Sequence, residues 1–324
     1  MPGKKNFDAQ LAALDALREQ PDDACVPPLR TALKHQNNYI VAKAADQVAQ
    51  RRLDALLSDL ATAFDRFFED PEKRDPQCWA KNSISRALAA FELQDPAPFL
   101  RGIKHVQLEA VWGGRSDTAG ALRGTCALAL VQCRSVLEAD LLRHLIDVLV
   151  DTDKTARNDA VRALEQLDSP SAALLLRLRA QTGGDEPEIL GACYAAVLSI
   201  EGASALPWAA RFLASEDDAA GEAALAIAAT HSPEAFELLK SRWDSTRDPW
   251  FRSVLLSAIA LTRQSAATEF MLGMVRADSL GADLAVEALL RSAPSDEIVQ
   301  QLKSLVIGNS RLERAFAANA TARR

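Results

Sequence analysis

The sequence predicts an all-α protein, a right-handed α-solenoid of about nine antiparallel helical hairpins. Three observations predict this fold class: helical periodicity nearly from end to end, no alternating strand pattern, and an aspartate that recurs at almost constant intervals. The recurring residues are Asp153, Asp185, Asp217 and Asp248, with spacings of 32, 32 and 31. Such a period is typical of stacked repeats, in which each unit covers the hydrophobic face of its neighbour.

Short breaks divide the second part of the chain into predicted helix pairs. Ser-Pro and Asp-Pro pairs provide N-caps and first-turn prolines, and glycines end helices. The predicted pairs are 116–133 with 137–150, 154–167 with 169–182, 186–199 with 201–215, 217–231 with 232–245, 248–264 with 265–277, and 279–293 with 295–307. We expect small and apolar residues at the seams between hairpins, namely Ala163, Leu164, Ala195, Ala226 and Ala258.

The N-terminal third is less regular, as terminal repeats often are. Helical segments are predicted there over 7–18, 26–35, 37–50, 51–69, 78–92 and 96–103. We therefore divide one continuous solenoid into irregular N-terminal helical repeats over 1–115, regular repeats over 116–308, and a C-terminal capping helix or tail over 309–324.

The run DKTARNDAVRAL, which begins at Asp153, resembles the D-x-x-V-R-x-x-A-x-x-A-L signature of short HEAT-like repeats of the phycobilin-lyase type. Asp248 and Arg252 repeat the same offset of four residues. The resemblance implies an α-solenoid. It also implies that aspartate and arginine form a structural ladder between repeats, which assigns Arg157, Arg162 and Arg252 to structure.

Composition and charge restrict the classes of partner. Hydrophobic residues make up 48% of the 324 residues and aromatic residues only 6%, so the core is expected to be alanine and leucine. The formal net charge of −7 argues against nonspecific binding to nucleic acid, which requires neutralisation of phosphates. We find no leader and no uncharged apolar run of membrane-spanning length, and therefore expect no membrane partner.

The five cysteines and four histidines give no sign of a catalytic or metal centre. Cys25, Cys78, Cys126, Cys133 and Cys193 are scattered and odd in number, which indicates buried reduced thiols and a cytoplasmic protein. His105 and Glu109 are four residues apart, but two ligands without a third predict no metal. No nucleophile, phosphate-binding or dinucleotide motif occurs, so we expect neither cofactor nor enzymatic activity.

One segment departs from the short turns of the array. About eleven residues separate a helix that ends near Lys104 from one that begins near Ser116, and they contain Trp112, two glycines and Arg115. A large aromatic beside a cation on a glycine-shaped loop is typical of a recognition element. We therefore predict a partner site at Trp112 and Arg115, with His105 and Glu109 beside them. The alternative is that Trp112 plugs a gap between irregular and regular repeats.

Basic residues also recur late in the second helices, as at Arg143, Arg177 and Arg211. In HEAT-type arrays the second helices line the concave surface, so these arginines are candidates for a cationic ridge that contacts a partner. Cations near helix C-termini also complement the helix dipole, which explains the same positions without any partner.

Taken together, these features favour a non-catalytic scaffold that binds a protein or peptide segment on its concave face. The family resemblance leaves a tetrapyrrole lyase or chaperone as the first alternative. A third possibility is a nucleic-acid enzyme resembling the HEAT-like alkylpurine glycosylases, but these carry a strongly basic concave face, whereas this chain is acidic.

Overall fold

The computed structural model describes residues 2–320, with side chains described over residues 7–319. The chain is 76% helical and forms antiparallel helix pairs, so the predicted all-α helical-repeat fold is confirmed. It divides into two compact units, residues 1–167 and residues 168–324.

The first unit contains ten α-helices and one β-hairpin among its described residues. The helices are α1 Pro2–Ala16, α2 Asp22–Leu33, α3 Asn38–Arg51, α4 Leu57–Arg66, α5 Pro71–Arg74, α6 Trp79–Ala90, α7 Ala97–Gly102, α8 Gly120–Val131, α9 Glu138–Leu149 and α10 Lys154–Leu167. The strands are β1 Leu108–Val111 and β2 Gly114–Asp117. Helices α3, α6, α8 and α10 pack side by side in that order.

The second unit contains helices and turns but no strand among its described residues. Its helices are α11 Pro170–Thr182, α12 Pro187–Glu201, α13 Leu206–Ala210, α14 Asp218–Ala229, α15 Pro233–Ser245, α16 Pro249–Leu261, α17 Ser265–Arg276, α18 Ala282–Arg291, α19 Asp296–Val306 and α20 Ser310–Ala320. Helices α12, α14, α16, α18 and α20 pack in sequence. Helix α20 occupies the segment predicted as a capping helix or tail, of which residues 321–324 lie outside the described residues.

The recurring aspartates begin helices as their spacing indicates, with one exception. The carboxylates of Asp153, Asp217 and Asp248 each accept a hydrogen bond from the backbone N–H three residues further on, at 2.9, 2.9 and 2.7 Å. This bond satisfies one of the N–H groups that a helix start leaves open. Asp185 instead accepts from the next backbone N–H and forms an ion pair with Arg179.

Small residues occupy the seams between stacked helices. Ala163, Leu164, Ala226 and Ala258 are buried as predicted. The prediction for Ala195 is wrong, because this residue is exposed and the adjacent Ala196 is buried. A shift of one residue turns a helical position by about 100°, which is enough to move it out of the seam.

One stretch, Pro187–Ala214, is long and apolar enough to cross a membrane by length and composition alone. More than half of its most apolar window, 56%, is buried within the structure. The stretch is also interrupted at Gly202, which has a φ of 65°. These features are those of a core segment in the second unit.

The predicted long loop before α8 is a β-hairpin, so the expectation of a structure without any sheet is wrong at this point. Strands β1 and β2 pair antiparallel, with Leu108 opposite Asp117 and Val111 opposite Gly114. Trp112 and Gly113 form the turn, and Gly113 has a φ of 89°, which favours glycine. Strands of four residues are too short to show the alternation on which sequence prediction relies.

Candidate functional site

The tip of the β-hairpin presents a large apolar side chain to solvent. Trp112 has a relative exposure of 103%, and Leu108 and Val111 beside it are about half exposed. The interpretation of Trp112 as a plug between repeats is therefore wrong, because its side chain contacts no core. An exposed aromatic at the end of an ordered hairpin is a candidate contact for a partner.

The base of the hairpin is held by polar side chains that sequence analysis did not single out. Gln107, which is 1% exposed, donates through Nε2 to the Asp75 carbonyl at 2.8 Å and to Glu109 Oε1 at 2.6 Å. The same Glu109 oxygen accepts from Thr118 Oγ1 at 2.7 Å and from the Gln77 backbone N–H at 2.6 Å. Three donors on one carboxylate oxygen fix β1 to the segment that precedes α6.

A fully buried ion pair lies beneath this carboxylate. Lys81 Nζ is 3.1 Å from Asp75 Oδ2 and donates to Gln107 Oε1 at 2.8 Å and to the Phe67 carbonyl at 3.2 Å. Asp75 Oδ1 also accepts from Asn38 Nδ2 and from the Ala80 backbone N–H, at 2.9 and 2.8 Å. Both charged side chains have 0% exposure. Because both charges are paired and hydrogen-bonded, their burial does not leave an unsatisfied charge. The directional bonds also fix the positions of the groups around them.

A second set of charges holds β2 and the start of α8. Arg123 Nη1 lies 2.7 Å from Asp117 Oδ2, while Nε and Nη2 donate to the two oxygens of Asp151 at 2.5 and 2.8 Å. Arg123 also donates to the His105 carbonyl at 2.8 Å. Its rigid, planar guanidinium therefore links the hairpin to the turn between α9 and α10.

We call the side chains that hold the hairpin the hairpin network. It consists of Asn38, Asp75, Lys81, Gln107, Glu109, Asp117, Thr118, Arg123 and Asp151. The backbone under it is unusual, because Gln77 and Cys78 both have positive φ, at 61° and 55°. Such conformations persist in residues other than glycine only where the surrounding structure enforces them.

The other three predicted site residues of this region are placed around the base of the hairpin. Arg115 Nη2 donates to Glu72 Oε1 at 2.8 Å and to the Leu108 carbonyl at 2.6 Å, so it braces the hairpin against α5. His105 Nε2 is 3.1 Å from Gln107 Oε1, and its ring packs edge-on against Phe68. Glu109 belongs to the hairpin network. The structure thus places Arg115, His105 and Glu109 at the base of the hairpin and Trp112 at its tip, and among the described residues Trp112 has no side-chain partner.

Burial and hydrogen bonding shift the protonation of these groups in defined directions. Burial raises the pKa of Glu109, but hydrogen bonds from Thr118, Gln107 and the Gln77 backbone outweigh it, and the pKa lies below its usual value. Burial likewise opposes ionisation of Asp117, whose pKa is nevertheless lowered by backbone N–H groups and Arg123. Burial, followed by the charge of Lys81, holds the pKa of His105 below its usual value. These surroundings therefore favour ionised Glu109 and Asp117 and a neutral His105 at pH 7.

Neither a metal site nor an activated nucleophile is evident in the part of the chain that the structure describes. No group of three or more His, Cys, Asp and Glu side chains is arranged to hold a metal ion there. Burial raises the pKa of the Cys78 thiol to about 11, which disfavours the thiolate.

The predicted cationic positions have different surroundings. Arg143, in the first unit, is exposed and pairs with Asp140 one turn earlier. Arg177, in the second unit, pairs with Glu201, and its guanidinium carbon lies 4.5 Å from the centroid of the Trp208 ring. Arg211 lies exposed in a short 3₁₀ segment of the same unit. Arg177 is thus already neutralised within the chain.

Sequence analysis missed the residues that hold the hairpin, although one signal was present. Lys81 precedes Ile84 and Leu88 by three and seven residues, so it occupies a core position of α6. A lysine at such a position implies a buried partner. Asp75 and Asp117 each precede their arginine or lysine partner by six residues, a spacing that does not place two side chains on one helix face, and Asp151 lies 28 residues beyond Arg123. These three aspartates therefore gave no comparable signal.

Comparison with known proteins gives only structural similarity. No protein-family model matches the chain, and a search of curated proteins finds no match. Among solved structures, the complex of CpcE and CpcF of phycocyanin lyase from Nostoc sp. PCC7120 matches with 20% sequence identity and a TM-score of 0.35. The match covers 70% of this chain and 89% of that one. An engineered protein matches with 15% identity and a TM-score of 0.39, over 96% of this chain and 91% of that one.

The fold and the site together define a class of protein. Its stacked antiparallel helices make the chain an all-α helical-repeat protein, as the recurring sequence pattern predicts. Within the first unit, the repeats carry a hairpin that is fixed at its base and exposed at its tip.

Proposed function

We propose that the protein is a non-catalytic scaffold that binds a protein segment, with Trp112 as the central contact and the concave face of the repeats as the remaining surface. The full exposure of Trp112 on a hairpin with a buried charged base carries this proposal. Tryptophan is enriched among residues that dominate interface energies. A support that is already ordered reduces the entropy lost on binding.

The test compares Trp112→Ala with a matched control, Trp250→Ala, which removes a half-exposed tryptophan from the second unit. Each protein is used to retain partners from an extract of the native host, and the retained proteins are quantified by mass spectrometry. A specific partner is expected to fall by roughly tenfold or more with Trp112→Ala and to be retained by Trp250→Ala. If no retained protein distinguishes the two variants, the proposal is wrong.

The surroundings of the cysteines support a cytoplasmic location. All five cysteines are free and buried, as expected for thiols that act as small apolar residues. We propose this location on that ground. Fractionation of the native host, followed by detection with an antibody, tests it.

A tetrapyrrole lyase or chaperone is the second candidate, and one feature of the second unit favours it. A groove of about 710 Å³ lies beside α13 and α15, and its lining includes the apolar residues Leu206, Pro207, Phe236 and Leu238. This volume is within the usual range for small-molecule sites. A spectral titration with biliverdin tests the candidate. A saturable band shift that Phe236→Ala abolishes supports it, and an unchanged spectrum excludes it.

We propose that nucleic acid is not a partner, because the chain carries a net charge of −7. Fluorescence anisotropy with labelled duplex DNA at physiological salt is expected to show no submicromolar binding. Tight binding with a steep salt dependence would favour the glycosylase-like alternative instead.

A further inference from the structure

A cavity in the second unit collects arginine side chains that the hairpin site does not use. It has a volume of about 360 Å³ and lies where the turn before α16 faces the start of α18. We call it the arginine pocket. Its lining includes Trp243, Arg247, Arg252, Leu280, Leu284 and Arg311.

Arg252 does not form the ladder with aspartate that the family resemblance implies. Its Nε donates to the Thr246 carbonyl at 2.8 Å, and its guanidinium carbon lies 5.0 Å from the centroid of the Trp243 ring. Arg157 of the first unit also donates to a carbonyl six residues earlier, at 2.9 Å. At this repeat position, both arginines therefore hydrogen-bond to the backbone of the turn that precedes their helix. Among the described residues, Arg252 has no carboxylate partner, so its two terminal nitrogens remain available.

The other two arginines of the pocket differ from each other. Arg311 is neutralised, because it lies 2.9 Å from Asp283 and 2.6 Å from Asp278. Arg247 is exposed and has no ion-pair partner within residues 7–319. Arg311 offsets one of the two charges of Asp278 and Asp283, so Arg247 and Arg252 leave the pocket and its edge with a net excess of one positive charge. This local excess stands out in a chain of net charge −7.

The walls of the pocket are apolar and partly rigid. The Trp243 ring packs edge-on against Phe270, with centroids 5.6 Å apart, while Arg252 lies over the ring. Stacking on an aromatic face orients a guanidinium and leaves its N–H groups directed away from the ring. Leu280, which is 73% exposed, and Leu284 add aliphatic surface.

We propose that the arginine pocket binds an acidic peptide segment, with a carboxylate between Arg247 and Arg252 and an adjacent apolar side chain against Leu280 and Leu284. Guanidinium groups bind carboxylates through paired, charge-assisted hydrogen bonds. The aliphatic walls favour a peptide over a free inorganic anion, which offers nothing to bury there. This site lies in the second unit and goes beyond the proposed function, which rests on the hairpin.

The test uses the blocked tripeptide acetyl-Leu-Glu-Leu-amide as the probe and follows the indole N–H resonance of Trp243, assigned with Trp243→Phe. We expect a saturable shift of this resonance. Binding should weaken about tenfold or more for the glutamine version of the peptide and for the variants Arg247→Gln and Arg252→Gln. Arg276→Gln is the matched control, because it removes the same charge from an exposed position outside the pocket and should bind as the wild type does.

Arg252→Gln also removes a hydrogen bond to Thr246, so Arg247→Gln, at an exposed position, provides the decisive comparison. The proposal is overturned if the peptide gives no saturable shift, or if Arg247→Gln binds it as the wild type does. Tighter binding of inorganic phosphate than of the peptide at equal ionic strength also overturns it. Trp112→Ala should leave peptide binding unchanged. The proposal for the arginine pocket and the proposal for the hairpin can therefore be tested separately.

Discussion

Both units pack helices side by side, but the side chains buried between those helices differ between the two units. In the second unit, small residues such as Ala223, Ala224 and Ala258 are fully buried where stacked helices meet. The first unit also stacks its helices, but its interior contains a lysine and an aspartate with no exposure. Alanine seams specify how closely helices approach, whereas a buried ion pair specifies which groups must lie opposite each other.

This difference coincides with the position of the hairpin. A two-stranded hairpin alone is marginally stable in water, so it requires support from the body of the protein. The hairpin network provides that support with directional bonds, which fix orientation more closely than apolar contacts do. We infer that the buried charges of the first unit serve to hold Trp112 in one place.

The largest expected effect is obtained by removing the buried cation. Lys81→Met leaves the Asp75 carboxylate buried without its counter-ion, and we expect a loss of about 3–5 kcal/mol in the free energy of unfolding. Urea denaturation measures it. The double variant Asp75→Asn/Lys81→Met should recover part of this loss, since it removes both charges. A loss below about 1 kcal/mol for the single variant would show that the pair does not hold the first unit.

A smaller effect is expected when a seam of the second unit is overpacked. Ala258 is fully buried in α16, so Ala258→Leu should destabilise by about 1–3 kcal/mol. Ala195→Leu is the matched control, because Ala195 is exposed on α12 and should change stability by less than about 0.5 kcal/mol. Equal melting temperatures for the two variants would contradict the burial of Ala258 in a helix seam and the exposure of Ala195.

These two regions also differ in how far the sequence predicts them. Repeated aspartates and alanines reveal the helices of the second unit, because each local signal recurs and a seam depends on neighbouring turns. Trp112 and its glycines reveal a special segment but not its strands. The aspartates that pair with Lys81 and Arg123 lie outside the helices of these two residues, and helical periodicity does not predict a contact between a helix and the segment before or after it. The sequence also left open whether Trp112 is buried or exposed, and the structure shows that it is exposed.

Acid should weaken the hairpin before it affects the alanine seams. The pKa values of Glu109 and Asp117 are lowered in the folded state, so their stabilising contribution is complete above the ordinary values near pH 4 and is lost as the pH falls through the folded-state pKa values. The effect of Glu109 should be below about 1 kcal/mol, because the side chain is partly exposed and screened.

Amide chemical shifts of residues 108–117 between pH 6 and pH 3 measure this loss. Glu109→Gln provides the control, since glutamine does not titrate and its hairpin shifts should depend less on pH. Identical pH profiles for the wild type and this variant would show that Glu109 does not hold β1.

The smallest expected effect on stability separates the tip of the hairpin from its base. Trp112 is fully exposed and contributes nothing to the hairpin network, so Trp112→Ala should change the free energy of unfolding by less than about 0.5 kcal/mol. Thermal melting measures this, and Lys81→Met serves as the contrasting variant from the base of the same hairpin. An exposed indole also predicts emission from Trp112 at long wavelength, visible as the difference between the spectra of the wild type and the variant. A loss of about 3 kcal/mol or more, as for a buried aromatic, would mean that Trp112 packs against the protein and that the tip is not free to meet a partner.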